Sequence, residues 1–308
     1  MERRQIRLGL VGYGEVGSGL GTGLRQEGLK AIAAYDIGAF EGPYSALIQG
    51  RAREAGVTLV RSPQELAKAA DYLISAVPGS ESVTAASAYR DHLGSHHVYV
   101  DIASATPSVK RRVAEALEPS GATVGDGGIM GSPLQDGHRF LIKASGPAAQ
   151  AFHDALSPWN MRIDVVSSTL GAGSGIKIVR SVVMKGMEAL FVECALASAR
   201  HGIQDEVFES ISAFMDARPF METVRFLLRT DVIHAERRAE EAGMSADALD
   251  DVGLEPVMTR STARTLQRVA DLNLKQQFGG LVPDDYKTAV EAIDLRLRSL
   301  GLDPAPHV

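Results

Sequence analysis

Gly12, Gly14 and Gly17 have a G-x-G-x-x-G spacing directly after the apolar run IRLGLV (6–11), and a second run ends in Asp36, 22 residues after Gly14 (36 − 14). In a chain with 31 glycines the spacing alone is a weak signal. A strand before it, a helix after it and an acid at this offset make it a dinucleotide site. The first glycine permits a tight turn, the second lets backbone approach the pyrophosphate, and the third lets the helix pack on the strand. The helix N-terminus offers unpaired N–H groups and a positive dipole end to the phosphates. Tyr13, Glu15 and Val16 complete this loop. An acid at Asp36 bonds the ribose hydroxyls and repels a 2′-phosphate. No arginine follows in DIGAF, so the pattern favours NAD while leaving NADP open. Two further strand ends, SAVPGS (75–80) with Val77 and Pro78, and DIASATPS (101–108) with Ser104, belong at the same carboxyl edge, where ligands of such sheets sit.

A second stretch, GAGSGIKIVRSVVMKG (171–186), combines glycines with an apolar run that carries Lys177, Arg180, Ser181 and Lys185. At about 100° per residue, Ser181, Met184 and Glu188 share a face with Lys177, with Arg180 and Lys185 to either side. Val179, Val182, Val183 and Leu190 fall on the opposite side and are expected to pack. An amphipathic helix with solvated lysines accounts for most of this pattern by itself.

Two textures surround these residues. Short β-rich runs occupy 6–11, 30–35, 57–60, 71–77, 97–101, 122–125, 139–144 and 162–166, mostly separated by helix-like stretches. Ser62-Pro63, Thr106-Pro107 and Gly146-Pro147 mark helix starts. The alternation predicts an α/β, Rossmann-type doubly wound domain over residues 1–166. From 167 to 308 no strand pattern appears. That half is predicted to be all-α, beginning with a long interdomain helix at about 175–201 and continuing over 206–229, 231–242, 255–274 and 283–300.

Composition sets bounds. At 45% hydrophobic and 23% charged residues, the chain reads as a soluble globular protein. A net charge of −6 leaves no basic surplus for nucleic acid. No apolar run approaches the ~20 residues of a membrane span, and the N-terminal run, broken by glycines and Glu15, is not expected to be a signal peptide. One cysteine excludes an internal disulfide and fits a cytoplasmic location. Cys194 reads as core, and His96-His97 as a loop. His234, Arg237 and Arg238 lie on adjacent turns and read as a solvated charged helix. No cluster has metal-ligand spacing.

Four motifs together resemble the β-hydroxyacid dehydrogenases, the family of 3-hydroxyisobutyrate and 6-phosphogluconate dehydrogenases, whose fold imine reductases share. The likeness is to a less characterised branch with a distinct helical C-terminal domain. The first motif is the glycine fingerprint. The second, D-x-S-T-x-x-P, is matched by Asp101 to Pro107, with Ser104 at the position beside the nicotinamide and Ala103 in place of a serine. The third, a substrate loop, is matched by Asp126 to Ser132. Met130 replaces the substrate-gripping serine there, and Gly131 and Ser132 follow it. The fourth, G-x-G-x-x-x-K, is matched by Gly171, Gly173 and Lys177, with Arg180 and Ser181 where relatives carry asparagines.

The resemblance implies an NAD(P)-dependent enzyme that moves a hydride between nicotinamide and the carbinol carbon of a small hydroxy acid. Lys177 is its general acid/base, and Met130, Gly131, Ser132, Arg180, Ser181 and Lys185 lie toward the substrate. It also implies a homodimer formed through the helical domain. Lysine in water titrates near ~10.4, too high for a base at neutral pH. A place in the first turn of a helix, partial burial, and neighbouring cations, the nicotinamide of NAD and Arg180, are expected to lower it. Imine reduction and oxidative decarboxylation of a sugar acid stand as alternatives, as does a non-catalytic NAD-sensing regulatory protein.

Overall fold

The computed structural model describes residues 4–302. All eight apolar runs form strands: β1 (Arg7–Val11), β2 (Ala31–Tyr35), β3 (Thr58–Leu59), β4 (Tyr72–Ser75), β5 (Val98–Asp101), β6 (Thr123–Met130), β7 (Leu141–Ser145) and β8 (Arg162–Ser167). They make one sheet in the order β3-β2-β1-β4-β5-β6-β7-β8. Every pairing is parallel except β6 with β7. The helices between them are α1 (Glu15–Gln26), α2 (Ser45–Ala55), α3 (Pro63–Ala69), α4 (Ser82–Ser87), α5 (Pro107–Leu117), α6 (Pro133–Asp136) and α7 (Ala149–Leu156).

Successive strand side chains alternate between faces, and both faces are apolar, as a sheet covered by helices requires. Leu8, Leu10, Ile74 and Val100 join one buried cluster, with Leu20 and Leu24 of α1 and Phe152 of α7. Val11, Leu73 and Tyr99 join the other, with Leu66 of α3, Ala86 of α4 and Val113 and Leu117 of α5. Ser62 and Thr106 cap α3 and α5, each hydroxyl accepting from the backbone N–H three residues on. The helix expected at Pro147 starts two residues later, at Ala149.

The remaining helices are α8 (Ala172–His201), α9 (Gln204–Asp216), α10 (Phe220–Asp251), α11 (Val257–Ala270), α12 (Leu274–Gln277) and α13 (Tyr286–Ser299). No strand lies among the described residues after β8. The expected break at residue 230 is absent. Thr230 stays helical, its hydroxyl donating to the Phe226 carbonyl at 2.8 Å. The break falls at Pro219, which precedes α10 because proline inside a helix would remove a hydrogen bond and clash with the preceding turn. Val232 and Ile233 of α10 pack with Leu272, Leu274, Ala289 and Ala292 in a core of their own. No helix among the described residues is long and apolar enough to cross a membrane.

The chain divides into two compact units, Met1–Val183 and Met184–Val308. The division lies inside α8, whereas the sequence placed it at 166/167. The reason is chemical: the start of α8 is tied to the sheet. The buried Asp126 carboxylate of β6 accepts from the Gly171 N–H at 2.7 Å and the Ser174 N–H at 2.9 Å. Ser145 of β7 donates to the same carboxylate at 2.5 Å, and its oxygen accepts from Gly173 N–H at 2.8 Å. The first N–H groups of a helix lack intrahelical partners; here strand side chains satisfy Gly171, Gly173 and Ser174, and the Ala172 N–H donates to the Thr169 carbonyl at 3.4 Å. Gly173 also has to be glycine, since a Cβ there would meet the Lys143 carbonyl oxygen at 2.1 Å.

Beyond that anchor, α8 departs from expectation. Val179, Val182, Val183 and Leu190 are exposed rather than packed, Val179 at 69% and Val182 at 72%. Cys194 is only half-buried. In the second unit Glu193 caps α11, accepting from the Met258 and Thr259 N–H groups at 2.6 and 3.0 Å.

Two stability outcomes follow. Asp126→Ala strands two buried N–H groups and a hydroxyl and is expected to cost about 3 kcal/mol or more in urea unfolding. Glu193→Ala is expected to cost about 1 kcal/mol. Burial pushes the Glu193 carboxyl up, but the N–H and hydroxyl donors outweigh it and hold the group below its usual range. Its contribution is therefore present above the ordinary glutamate pKa, and the gap to the variant closes as pH falls through the lowered value.

Candidate active site

The carboxyl ends of β4, β5 and β6, with Val16 of α1, border a cavity of about 320 Å³. Strand order reverses between β1 and β4, and the crevice at such a switch point is where open α/β sheets bind ligands. Val16, Val77, Pro78, Ser104, Gly131 and Lys177 line it, so six of the residues singled out from sequence converge on one wall.

The glycine turn fits a dinucleotide. A Cβ on Gly17 would meet the Gly12 carbonyl oxygen at 2.2 Å, so only glycine lets α1 start this close to β1. Gly14 has nothing within 4 Å of its missing Cβ, leaving that side open for a pyrophosphate. The N-cap of α1 is Gly14, with no side-chain bond to the first N–H groups, which stay available to an anion. Glu15 is exposed in that first turn. Asp36 accepts from Tyr13 N–H at 2.7 Å and Gly38 N–H at 2.8 Å, tying the turn to the end of β2. Each carboxylate oxygen keeps a further lone pair for a ribose hydroxyl. The Tyr13 side chain itself lies in the core, where burial pushes its phenol up to about 12, so only its backbone faces the loop.

Lys177 sits in the second turn of α8, not the first. Its Nζ donates to Ser104 Oγ at 2.5 Å. Burial pushes its pKa below the ordinary lysine value, and the like charge of Lys110 pushes it the same way. The neighbouring cation is therefore Lys110 and not Arg180, which is exposed. Nor does a free helix N-terminus act on Lys177, because Asp126 occupies that end.

Lys110 is buried against the site's own loop. Its Nζ donates to the carbonyls of Asp101 at 2.9 Å and Ala103 at 2.7 Å and pairs with Asp101 Oδ2 at 3.0 Å. Asp101 in turn accepts from Ala103 N–H at 3.0 Å. The backbone immediately before Ser104 is thus fixed by a buried ion pair. Lys110 and Ser145 were not singled out from sequence. Lys110 did leave a signal: it shares a helix face with Val113 and Leu117, which are buried with it. Ser145 left none.

Other candidates stay off the cavity wall. Met130 ends β6, paired with Leu141. Ser132 precedes α6, its N–H donating to Asp136 Oδ2 at 3.1 Å. The Ser181 hydroxyl donates to the Lys177 main-chain carbonyl at 2.9 Å rather than to its amine. Lys185, in the second unit, pairs with Glu188 at 2.9 Å. Arg237 pairs with Glu241, and Arg238 lies 3.5 Å from Asp231, as a charged helix would have them. His234 is exposed.

Comparison with known proteins identifies the domains and the fold. Residues 7–157 match the NAD-binding domain of 6-phosphogluconate dehydrogenase, and residues 199–269 match a domain of unknown function, DUF1932. A conserved protein of unknown function, its structure described as similar to 3-hydroxyacid dehydrogenases, is 30% identical. The alignment covers 90% of this chain and 100% of that one, with a TM-score of 0.59. A conserved hypothetical protein from Sinorhizobium meliloti is 25% identical over 96% of this chain and 97% of its own, at TM-score 0.61. A reductive aminase from Aspergillus terreus, solved with NADPH and ethyl levulinate, shares the fold at TM-score 0.71 and 16% identity, covering 94% and 99% of the two chains. The chain belongs to the 6-phosphogluconate dehydrogenase-like family of NAD-binding oxidoreductases, with a DUF1932 domain in its helical half.

Proposed function

We propose that this protein is an NAD(P)-dependent dehydrogenase or reductase acting on the carbinol carbon of a small hydroxy acid, with Lys177 as general acid/base. The observation that carries the reading is the Lys177–Ser104 contact on the wall of a cavity at the carboxyl edge of a nucleotide-binding sheet. When bound, the nicotinamide supplies hydride exchange at C4. The glycine turn and the start of α1 hold the pyrophosphate, and Asp36 holds the ribose and favours NAD over NADP. Lys177 with its lowered pKa takes the hydroxyl proton during oxidation. As an ammonium it returns that proton during reduction and stabilises the charge developing on oxygen. Ser104 accepts from Nζ, which aims Lys177 and leaves the serine hydrogen free for the substrate oxygen.

Imine reduction is the second reading, favoured by the fold shared with the reductive aminase; a lysine at 177 favours alcohol chemistry. A homodimer belongs to the proposal, supported by the exposed apolar Val179, Val182, Val183, Phe191 and Val192 on α8.

The test is NADH formation with a panel of hydroxy acids, beside imine reduction with NADPH. Lys177→Ala is expected to lower kcat/KM by about 10²–10⁴-fold while NADH binding persists. A variant that keeps most of its activity removes Lys177 from the mechanism. The pH profile carries a sign. Oxidation falls as pH drops through the Lys177 pKa, because the base becomes protonated. Lys110→Gln removes the neighbouring charge while keeping an N–H donor for the loop, so the inflection moves to higher pH.

A further inference from the structure

The second unit has a cavity of its own, about 470 Å³, whose lining includes Arg218, Glu222, Arg225, Phe226, Arg229 and Val282. Its charge contrasts with the rest of the molecule. In a chain of net charge −6, three guanidiniums and one carboxylate face this cavity and leave an excess of two positive charges. Arg225 and Arg229 lie one turn apart on α10 and so share a face. Arg218 sits just before the Pro219 that opens the helix.

None of the three arginines forms an ion pair among the described residues, and two of them are oriented by other means. The Arg218 guanidinium lies over the Phe226 ring at 4.7 Å and near the Phe214 ring at 5.8 Å. Arg229 donates through Nε to the Pro283 carbonyl at 2.6 Å, which holds its stem and leaves its terminal N–H groups for another partner. A guanidinium has five donors and no acceptor, and its fork matches a carboxylate or a phosphate. Phe226 and Val282 add an apolar wall, and the volume suits a small molecule.

We propose that this cavity binds a small oxyanion with an apolar body, an organic phosphate or carboxylate, through Arg218, Arg225 and Arg229. The site lies wholly within the second unit and does not rest on the role of Lys177.

The experiment is calorimetric titration of the full-length protein in saturating NAD, so that the nucleotide phosphate site is filled. The probes are phenyl phosphate, benzoate and inorganic phosphate. Saturable binding is expected, with phenyl phosphate above benzoate marking a phosphate site and the reverse order marking a carboxylate site. Arg225→Gln with Arg229→Gln should weaken the better probe at least about tenfold, the loss expected when charge-assisted bonds are removed. Glu222→Gln, which removes only the opposing charge, should tighten it and serves should the double variant fail to fold. NADH affinity should stay unchanged in both. Absence of saturable binding by all three probes, undiminished binding in the double variant, or no tightening in Glu222→Gln overturns the proposal.

Discussion

The buried Asp126 carboxylate is where the nucleotide unit and the start of α8 become one object. It is a buried polar group, which is tolerable because Ser145 and the Gly171 and Ser174 N–H groups all donate to it. The same bonds supply what a helix N-terminus lacks. Sheet and helix start are therefore tied by one group. Its consequence for function is positional: with the first turn of α8 fixed on β6 and β7, Lys177 falls opposite the Ser104 loop and meets its hydroxyl.

A second buried charge works from the other side of that contact. Lys110 and Asp101 pair beneath the Ser104 loop, and the ammonium spends two further bonds on backbone carbonyls there. Such a pair contributes little net stability in itself, but losing one partner would leave an uncompensated charge. It places a positive group near Lys177, which is both half-buried and repelled by that neighbour. Both effects favour the neutral amine, and neither requires the helix dipole, which Asp126 has already answered.

How much of this could be read from the chain depended on range. Strands covered on both faces appear as continuous apolar runs, and all eight were legible for that reason. Ser62 and Thr106 act on their own helices within three residues, so their caps were legible too. Asp126 acts across 45 and 48 residues, and nothing local to Gly171 announces a carboxylate from β6. Lys110 was visible in principle as a lysine on an apolar face, but it looked like one more charge in SVKRRVAEAL. Helical periodicity continues on both sides of Pro219 and masks the break there. The shared helix face of the α8 valines fixes a preference for burial and not the partner that provides it. Met130 and Ser132 follow from the resemblance of their loop, but it is the residues between and beside them, Ile129, Gly131 and Pro133, that line the cavity.

The central claim is that Lys177 is held as a weak acid beside Ser104, ready to exchange a proton. An NMR titration of the lysine Cε resonances in the intact protein, with Lys177→Arg for assignment, measures this without a substrate. One resonance, absent in that variant, should titrate below the ~10.4 of lysine in water. A Lys177 that titrates in the ordinary lysine range would contradict the account.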